Sequence, residues 1–168
     1  MIILSSILTV FCVGLSTGGL LVSRRIDPHQ TLFFIVGIVF FLSSLIGMFI
    51  GSKISSLISQ SAISIIFGIF CLVMIGFLVW KYDPAFGYIK QEPVTLSTFV
   101  VFFFILGMEL AKLELSILVS FIFSLVFVSG TFLGFMFIYQ ILYRQRNPHF
   151  FILLPLIPLL FIGLFKLV

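Results

Sequence analysis

Runs of apolar residues, each about as long as a membrane-spanning helix, follow one another along nearly the whole chain. A helix needs about 20 such residues to cross the hydrocarbon core of a bilayer. Four runs are clear, and the segment from Val94 to Tyr143 is long enough for two more. The four are Ile2–Ser23, Thr31–Ile50, Ala62–Trp80 and Phe150–Val168. The pattern predicts an all-α integral membrane protein with six transmembrane helices, forming one domain over residues 1–168.

Composition excludes the soluble classes of protein. Hydrophobic residues make up 62% of the chain and charged residues only 8%, against about 45–50% and about 25% in an ordinary soluble domain. A disordered chain needs the opposite balance, and the continuous apolar runs do not alternate as barrel strands do. The net charge of +4 comes from bases near the ends of runs, so we predict a lipid bilayer as partner and no nucleic acid.

The bases also predict an orientation. If six helices alternate across the membrane, one side receives six bases, namely Arg24, Arg25, Lys81, Lys90, Arg144 and Arg146. The other side receives Lys53, Lys112 and Lys166. The positive-inside rule then places both termini on the non-cytoplasmic or non-matrix side. Scarce alanine beside 24 phenylalanines is typical of an AT-rich genome, which indicates a bacterial or organellar inner membrane.

Glycine pairs four residues apart suggest close helix packing. The three pairs are Gly14/Gly18, Gly47/Gly51 and Gly130/Gly134. The second and third fall in the middle helix of two three-helix halves, 1–80 and 94–168, and Gly76 and Gly163 occupy similar places in the third and sixth runs. Halves with three helices each would be inverted relative to one another, as in many transporters. Ordinary packing glycines remain the alternative.

One group of charges is flanked by long apolar runs on both sides: Glu109, Lys112 and Glu114. If Ala111–Ser116 forms a turn, these charges are interfacial and solvated, and the length of the segment favours this interpretation. If the fourth helix runs through them, Glu109 and Lys112 lie one turn apart within the membrane. Ionised groups there are costly unless they are paired or line a wet cavity, and they mark ion or proton paths.

A short polar stretch, Ser16-Thr17-Gly18-Gly19, interrupts the first apolar run. A local break of the helix there would expose carbonyl groups to a substrate, as in transporters with discontinuous helices. The alternative is close packing, with the hydroxyls bonded back to the helix. We keep Ser16 and Thr17 as candidate residues of an ion or substrate path.

Catalytic and cofactor sites are not predicted. No nucleophile–base arrangement, phosphate-binding loop or metal-ligand spacing is present in the sequence. Cys12 and Cys71 lie within apolar runs, without a CxxC motif, and indicate small buried hydrophobic residues. His29 and His149 lie in connections. We therefore predict no metal and no cofactor, and enzyme activity is the less favoured class of function.

Glycine-punctuated stretches carry a family resemblance. They are Thr31–Gly37, Leu45–Ser52, Ile66–Gly76 and Ser129–Gly134. Together they resemble the LysE-type transporter superfamily, which includes thiol-reductant carriers of the CcdA type and manganese exporters of the MntP type. The resemblance implies six helices and transport. Ser16 and Thr17 stand where those proteins carry a cysteine or an aspartate, so it does not imply their cargo.

A second resemblance points to another class. The stretch Arg24–Ile35 is similar to the first connection and second helix of the sixth membrane subunit of NADH dehydrogenase, the J subunit of bacteria. Two hypotheses follow. In the first, the protein carries a small ion or solute between two halves. In the second, it is a non-catalytic or proton-path subunit of a larger membrane complex. Other membrane subunits or a second copy of the chain are the expected protein partners.

Overall fold

The computed structural model describes residues 2–22, 30–54, 58–82, 88, 93–113, 117–144 and 153–167, and nearly all of them are helical. Within these ranges, two 3₁₀ turns accompany the α-helices: Ala111–Leu113 continues α4, and Leu154–Leu156 precedes α6. The helices are α1 (Ile2–Leu21), α2 (Gln30–Ile54), α3 (Gln60–Lys81), α4 (Pro93–Leu110), α5 (Ile117–Arg144) and α6 (Ile157–Leu167).

Five of these helices, α1 to α5, are long and apolar enough to cross a membrane. This confirms the prediction of a multi-pass helical membrane protein at that level. The last run, Phe150–Val168, yields a shorter helix than we expected, because α6 has 11 residues. At about 1.5 Å per residue, α6 alone covers about half of the hydrocarbon core.

Prolines begin helices in this fold. Pro155 lies in the 3₁₀ turn before α6, and Pro158 is the second residue of α6. Pro93 is likewise the first residue of α4. Proline is tolerated in the first turn because its missing N–H has no partner within the helix there.

The helices pack in a closed ring whose order differs from their order in the chain. Helix α1 packs against α5 and α6, helix α4 packs against α2 and α3, and the ring is completed by α2 against α5 and α3 against α6. Around the ring the order is α1, α5, α2, α4, α3, α6. Helices from residues 1–80 are therefore interleaved with helices from residues 94–168, and the two segments are not separate bodies.

Aromatic rings fill the space where α2, α4 and α5 meet. Phe40 stacks on Phe127 with ring centroids 4.0 Å apart. The ring of Phe103 meets both edge-on, at 5.4 Å and 5.2 Å. All three are at most 2% exposed. Offset or edge-to-face rings pack favourably and leave no polar surface, so this part of the bundle is closed and apolar.

Outward-facing positions are apolar as well, which suits a lipid environment rather than water. Large exposed side chains recur along α2, α3 and α5, for example Ile38, Ile69 and Phe137. Several hydroxyl groups bond within their own helix: Thr17, for example, donates to the carbonyl of Val13 at 2.8 Å. Such bonds satisfy a hydroxyl where no water is available.

Between α3 and α4, Tyr88 is buried against Tyr82, with ring centroids 4.9 Å apart. Burial, and then the neighbouring Tyr82, raises the pKa of Tyr88 to about 12. The folded protein therefore binds this proton more tightly than the unfolded chain does. The stability that Tyr88 contributes is complete below pH 10 and is lost as the pH rises through 12.

We expect the ultraviolet absorbance of tyrosinate to show one of the four tyrosines titrating near pH 12 in detergent. Tyr88→Phe should remove this step. A step near pH 12 that persists in Tyr88→Phe would contradict the assignment.

Candidate functional site

A buried carboxylate lies at the end of α4. Glu109 belongs to the last turn of α4, and only 2% of its side chain is exposed. It is the one acidic residue in the part of the chain that the structure describes. Acidic residues are almost never fully buried unless they are paired, so its partners define the site.

Two lysines share one oxygen of this carboxylate. Lys112 Nζ lies 2.8 Å from Glu109 Oε1, and Lys166 Nζ lies 2.6 Å from the same atom. The lysine side chains are themselves 16% and 7% exposed. We call Glu109, Lys112 and Lys166 the charged cluster. With all three groups ionised, it carries one more positive than negative charge.

Helix ends assemble the charged cluster. Lys112 lies in the 3₁₀ turn that continues α4, and Lys166 lies in the last turn of α6. Carbonyl groups at a helix C-terminus favour cations, so both lysines gain from their positions. Lys112 also donates to the hydroxyl of Ser64 on α3, at 3.5 Å. The cluster thus links α3, α4 and α6 at one end of the bundle, which we call the charged end.

The second oxygen of Glu109 is unpartnered. Oε2 is buried and has no hydrogen bond from any described residue. Beside Glu109 is a small cavity of about 10 Å³, which is roughly the room that one water needs. Because Oε1 accepts both lysines, Oε2 is the oxygen left for a donor in this cavity. The lining consists of Gln60, Ile63, Met108, Glu109, Ala111 and Lys112.

The charged cluster matches neither sequence interpretation in full. Helix α4 ends at Leu110 and continues as a 3₁₀ turn to Leu113, and the carboxylate is buried rather than solvated. The pair of Glu109 and Lys112, three residues apart, forms as the helical interpretation expected. Lys166 was missed, since we assigned it only to orientation. Its one sequence signal was its assignment to the same membrane side as Lys112. Glu114 lies outside the described residues.

Ser16 and Thr17 lie in an unbroken helix. Helix α1 continues through both residues to Leu21, so the local break, one of the two interpretations, is absent. Thr17 bonds within α1, but the Ser16 hydroxyl donates to the carbonyl oxygen of Pro155, in the turn before α6. Both side chains are at most 4% exposed. Ser16 therefore links α1 to the start of α6, whereas Lys166 of the charged cluster lies at the other end of α6.

Glycines let α1 and α5 touch through their backbones. A Cβ atom on Gly130 would lie 2.6 Å from the carbonyl oxygen of Phe11, 3.3 Å from the nitrogen of Leu15 and 3.4 Å from the Cα of Gly14. The other members of the two pairs, Gly18 and Gly134, also face backbone atoms of the opposite helix. Side chains at these positions would force the two helices apart.

Helices α2 and α4 meet in the same way. A Cβ atom on Gly47 would contact the carbonyl oxygen of Phe104, and would lie 3.1 Å from both the nitrogen of Met108 and the Cα of Gly107. Gly51 faces Met108 as well, with 2.8 Å to its Cα. All three glycine pairs found in the sequence thus lie in helix contacts, and Gly107 joins them.

A third close contact joins α3 and α6. A Cβ atom on Gly68 would lie 3.0 Å from the carbonyl oxygen of Gly163 and 3.2 Å from the Cβ of Lys166. One on Gly163 would lie 3.2 Å from the Cβ of Cys71 and 3.4 Å from the carbonyl oxygen of Gly68. The glycine of α3 that meets Gly163 is therefore Gly68. Gly76, which the sequence suggested, has no neighbour within 4 Å.

Cysteines and acids do not gather into a metal site in the described residues, where no group of three histidine, cysteine, aspartate or glutamate residues could hold an ion. Cys12 and Cys71 are free thiols. The class that fold and site define is thus a multi-pass helical membrane protein with a buried charged cluster. No protein-family model, curated protein or solved structure matches the chain.

Proposed function

We propose that the protein carries a small ion or solute across the membrane, with the charged cluster as the site that couples binding to movement. The observation that carries this proposal is a buried carboxylate that holds two ammonium groups on one oxygen and leaves the other oxygen, beside a cavity, without a partner. Glu109, Lys112 and Lys166 are the coupling residues.

The free energy needed to bury ionised groups is the first argument that the charged cluster has a function. Removing three ionised groups from water costs several kcal/mol per ion, and the pairing recovers this only where geometry is favourable and every polar atom is bonded. In this cluster Glu109 Oε2 is not bonded. An apolar bundle needs no such group for stability. Charged groups inside membrane proteins typically mark ion, proton or substrate paths, and a donor arriving in the cavity would complete the hydrogen bonds of Glu109.

The ring order supports a second argument, that the halves are inverted repeats. If α1 is exchanged with α4, α2 with α5 and α3 with α6, every pair of helices in close contact is replaced by another pair in close contact. The exchange also reverses the order of the helices around the ring. A two-fold axis along the membrane normal would instead rotate the ring by three places without reversing it. Reversal is what a two-fold axis in the membrane plane produces, as in inverted-repeat transporters.

The glycine contacts are also related by this exchange of helices, down to the atoms that each glycine faces. Gly130 faces the carbonyl oxygen, nitrogen and Cα of three residues on α1, and Gly47 faces the same three atom types on α4. Both sets have the same spacing along their helices. The contact of α3 with α6 exchanges onto itself, because Gly68 and Gly163 each face the other's carbonyl oxygen. These correspondences favour a repeat over coincidental packing glycines.

Transport by the isolated protein is the direct test. Purified protein is reconstituted into liposomes that contain a pH-sensitive dye, and sodium, potassium, manganese and chloride gradients are applied in turn. We expect at least one gradient to drive proton movement in the wild type. Glu109→Gln should reduce this movement to the rate of empty liposomes, because the amide cannot balance two lysines. Ser97→Ala is the matched control, since that hydroxyl lies on the exposed face of α4 and should not affect the flux.

The second candidate function is a subunit of a larger membrane complex. The observation in its favour is the aromatic cluster of Phe40, Phe103 and Phe127, which leaves no polar passage where α2, α4 and α5 meet. Gentle purification distinguishes the two candidates. Recovery of the protein only within a stoichiometric multi-subunit assembly, with no ion-driven flux by the isolated chain, would replace the carrier proposal with the subunit one.

A further inference from the structure

The inverted repeat relates residues of the charged cluster to equivalent residues of the other half, around Ser16 at the opposite end of the bundle. If Gly14 corresponds to Gly107, then Ser16 corresponds to Glu109 and Gly19 to Lys112. If Gly68 corresponds to Gly163, then Pro155 corresponds to Gln60. Ser16 and Glu109 are equally buried, at 1% and 2%.

The place around Ser16 is closed. The Ser16 hydroxyl donates to the carbonyl oxygen of Pro155. A Cβ atom on Gly19 would lie 2.8 Å from the Cβ of Pro155 and 3.0 Å from Ile138, so there is no room for even a methyl group. Helix α1 and the start of α6 thus touch through Gly19 and Pro155, whereas at the charged end the long side chain of Lys112 reaches Ser64 of α3 at 3.5 Å.

The corresponding place at the charged end is open by comparison. Gln60, the counterpart of Pro155, lines the cavity together with Glu109 and Lys112. Gln60 itself is exposed, and Glu109, which also lines this cavity, has one oxygen without a partner. The corresponding residues of the two halves are therefore in direct contact in one half and separated by a cavity of about 10 Å³ in the other.

We propose that these two places are alternating gates, and that the contact of Ser16 with Pro155 is the closed gate of this conformation. Inverted repeats change the facing side of a transporter when the two halves exchange conformations. In the opposite conformation, Pro155 moves away from Ser16 and Gly19, and Gln60 closes over Glu109. This inference rests on the proposed carrier function, and it adds Ser16 and Pro155 as the residues that set which side is open.

Two cysteine pairs test the gates in a protein with Cys12→Ala and Cys71→Ala. Ile138→Cys with Pro155→Cys reports the Ser16 gate, since both side chains lie against Gly19 and Pro155→Cys keeps the backbone carbonyl that Ser16 binds. Gln60→Cys with Ala111→Cys spans the cavity at the charged end and reports the other gate. The rate of oxidative cross-linking of each pair measures how often that gate is closed.

Ser16→Ala removes the hydroxyl of the closed gate. One such hydrogen bond shifts an equilibrium about fivefold. We expect Ser16→Ala to speed cross-linking at the charged end by up to about this factor and to slow cross-linking at the Ser16 gate. Thr17→Val is the matched control, because the neighbouring hydroxyl bonds only within α1 and its loss should leave both rates unchanged.

Rates that stay unchanged in Ser16→Ala, or that move in the same direction at both gates, would overturn the inference. In the transport assay, oxidation of the pair at the Ser16 gate should stop the flux and a reductant should restore it. Flux that persists in the oxidised protein would also overturn it. Opposite changes of the two rates in a protein without any flux would retain the gates and reject the carrier function, so the two failures are distinguishable.

Discussion

Replacing Glu109 with alanine should lower the free energy of unfolding by about 3–5 kcal/mol, the range for breaking a buried ion pair from one side. The loss is large because two ammonium groups, at most 16% exposed, would stay buried without their shared carboxylate. Unfolding in detergent by a stepwise increase in sodium dodecyl sulfate, followed by circular dichroism, measures the change.

Substitutions with uncharged side chains of similar size separate this effect of charge from the loss of packing. Glu109→Gln keeps the size of the side chain and should lose most of the same stability. Adding Lys112→Met and Lys166→Met to Glu109→Gln should return the protein to near wild-type stability, since well-packed apolar groups replace buried ion networks at little cost. If the triple variant were less stable than Glu109→Gln alone, the charged cluster would be a stabilising unit rather than a costly functional one.

The positions of the spanning helices could be predicted from the sequence because hydropathy acts locally. The predicted run Ala62–Trp80 and the observed α3, Gln60–Lys81, differ by at most two residues at each end. The same local reasoning found the pair of Glu109 with Lys112, which are three residues apart. It could not find Lys166, 57 residues from Glu109, because nothing local shows that α6 ends beside α4.

Interleaved packing also explains what the sequence did not reveal at Ser16 and Gly76. Within α1 alone, Ser16 left two interpretations open, a broken helix or a hydroxyl bonded back to its own helix. Its actual acceptor, the carbonyl of Pro155, comes from the far end of the chain. Gly76 was chosen over Gly68 for a similar reason: both lie within the third run, and only the position of α6 distinguishes them. Membrane helices lack a strong amphipathic pattern, so the sequence says little about which face meets which neighbour.

Backbone contact between the halves gives the second large expected effect. Gly134→Ala should destabilise the protein by about 1–3 kcal/mol or more, the range for overpacking a tight interior. Its new methyl group would meet the carbonyl oxygen of Leu15 and lie 2.8 Å from the Cα of Leu15. These are backbone atoms that cannot rotate away, so α1 and α5 would have to separate.

Gly76→Ala is the matched control for this substitution. Nothing lies within 4 Å of the position that its Cβ would occupy, and alanine is favoured over glycine within a helix by about 1 kcal/mol. The same chemical change should therefore stabilise α3 and destabilise the contact of α1 with α5. The detergent unfolding assay used for the Glu109 series would show midpoints that move in opposite directions. Equal midpoints would mean that α1 and α5 do not pack through their backbones. The correspondence of Gly134 with Gly51, which supports the inverted repeat, would then no longer hold.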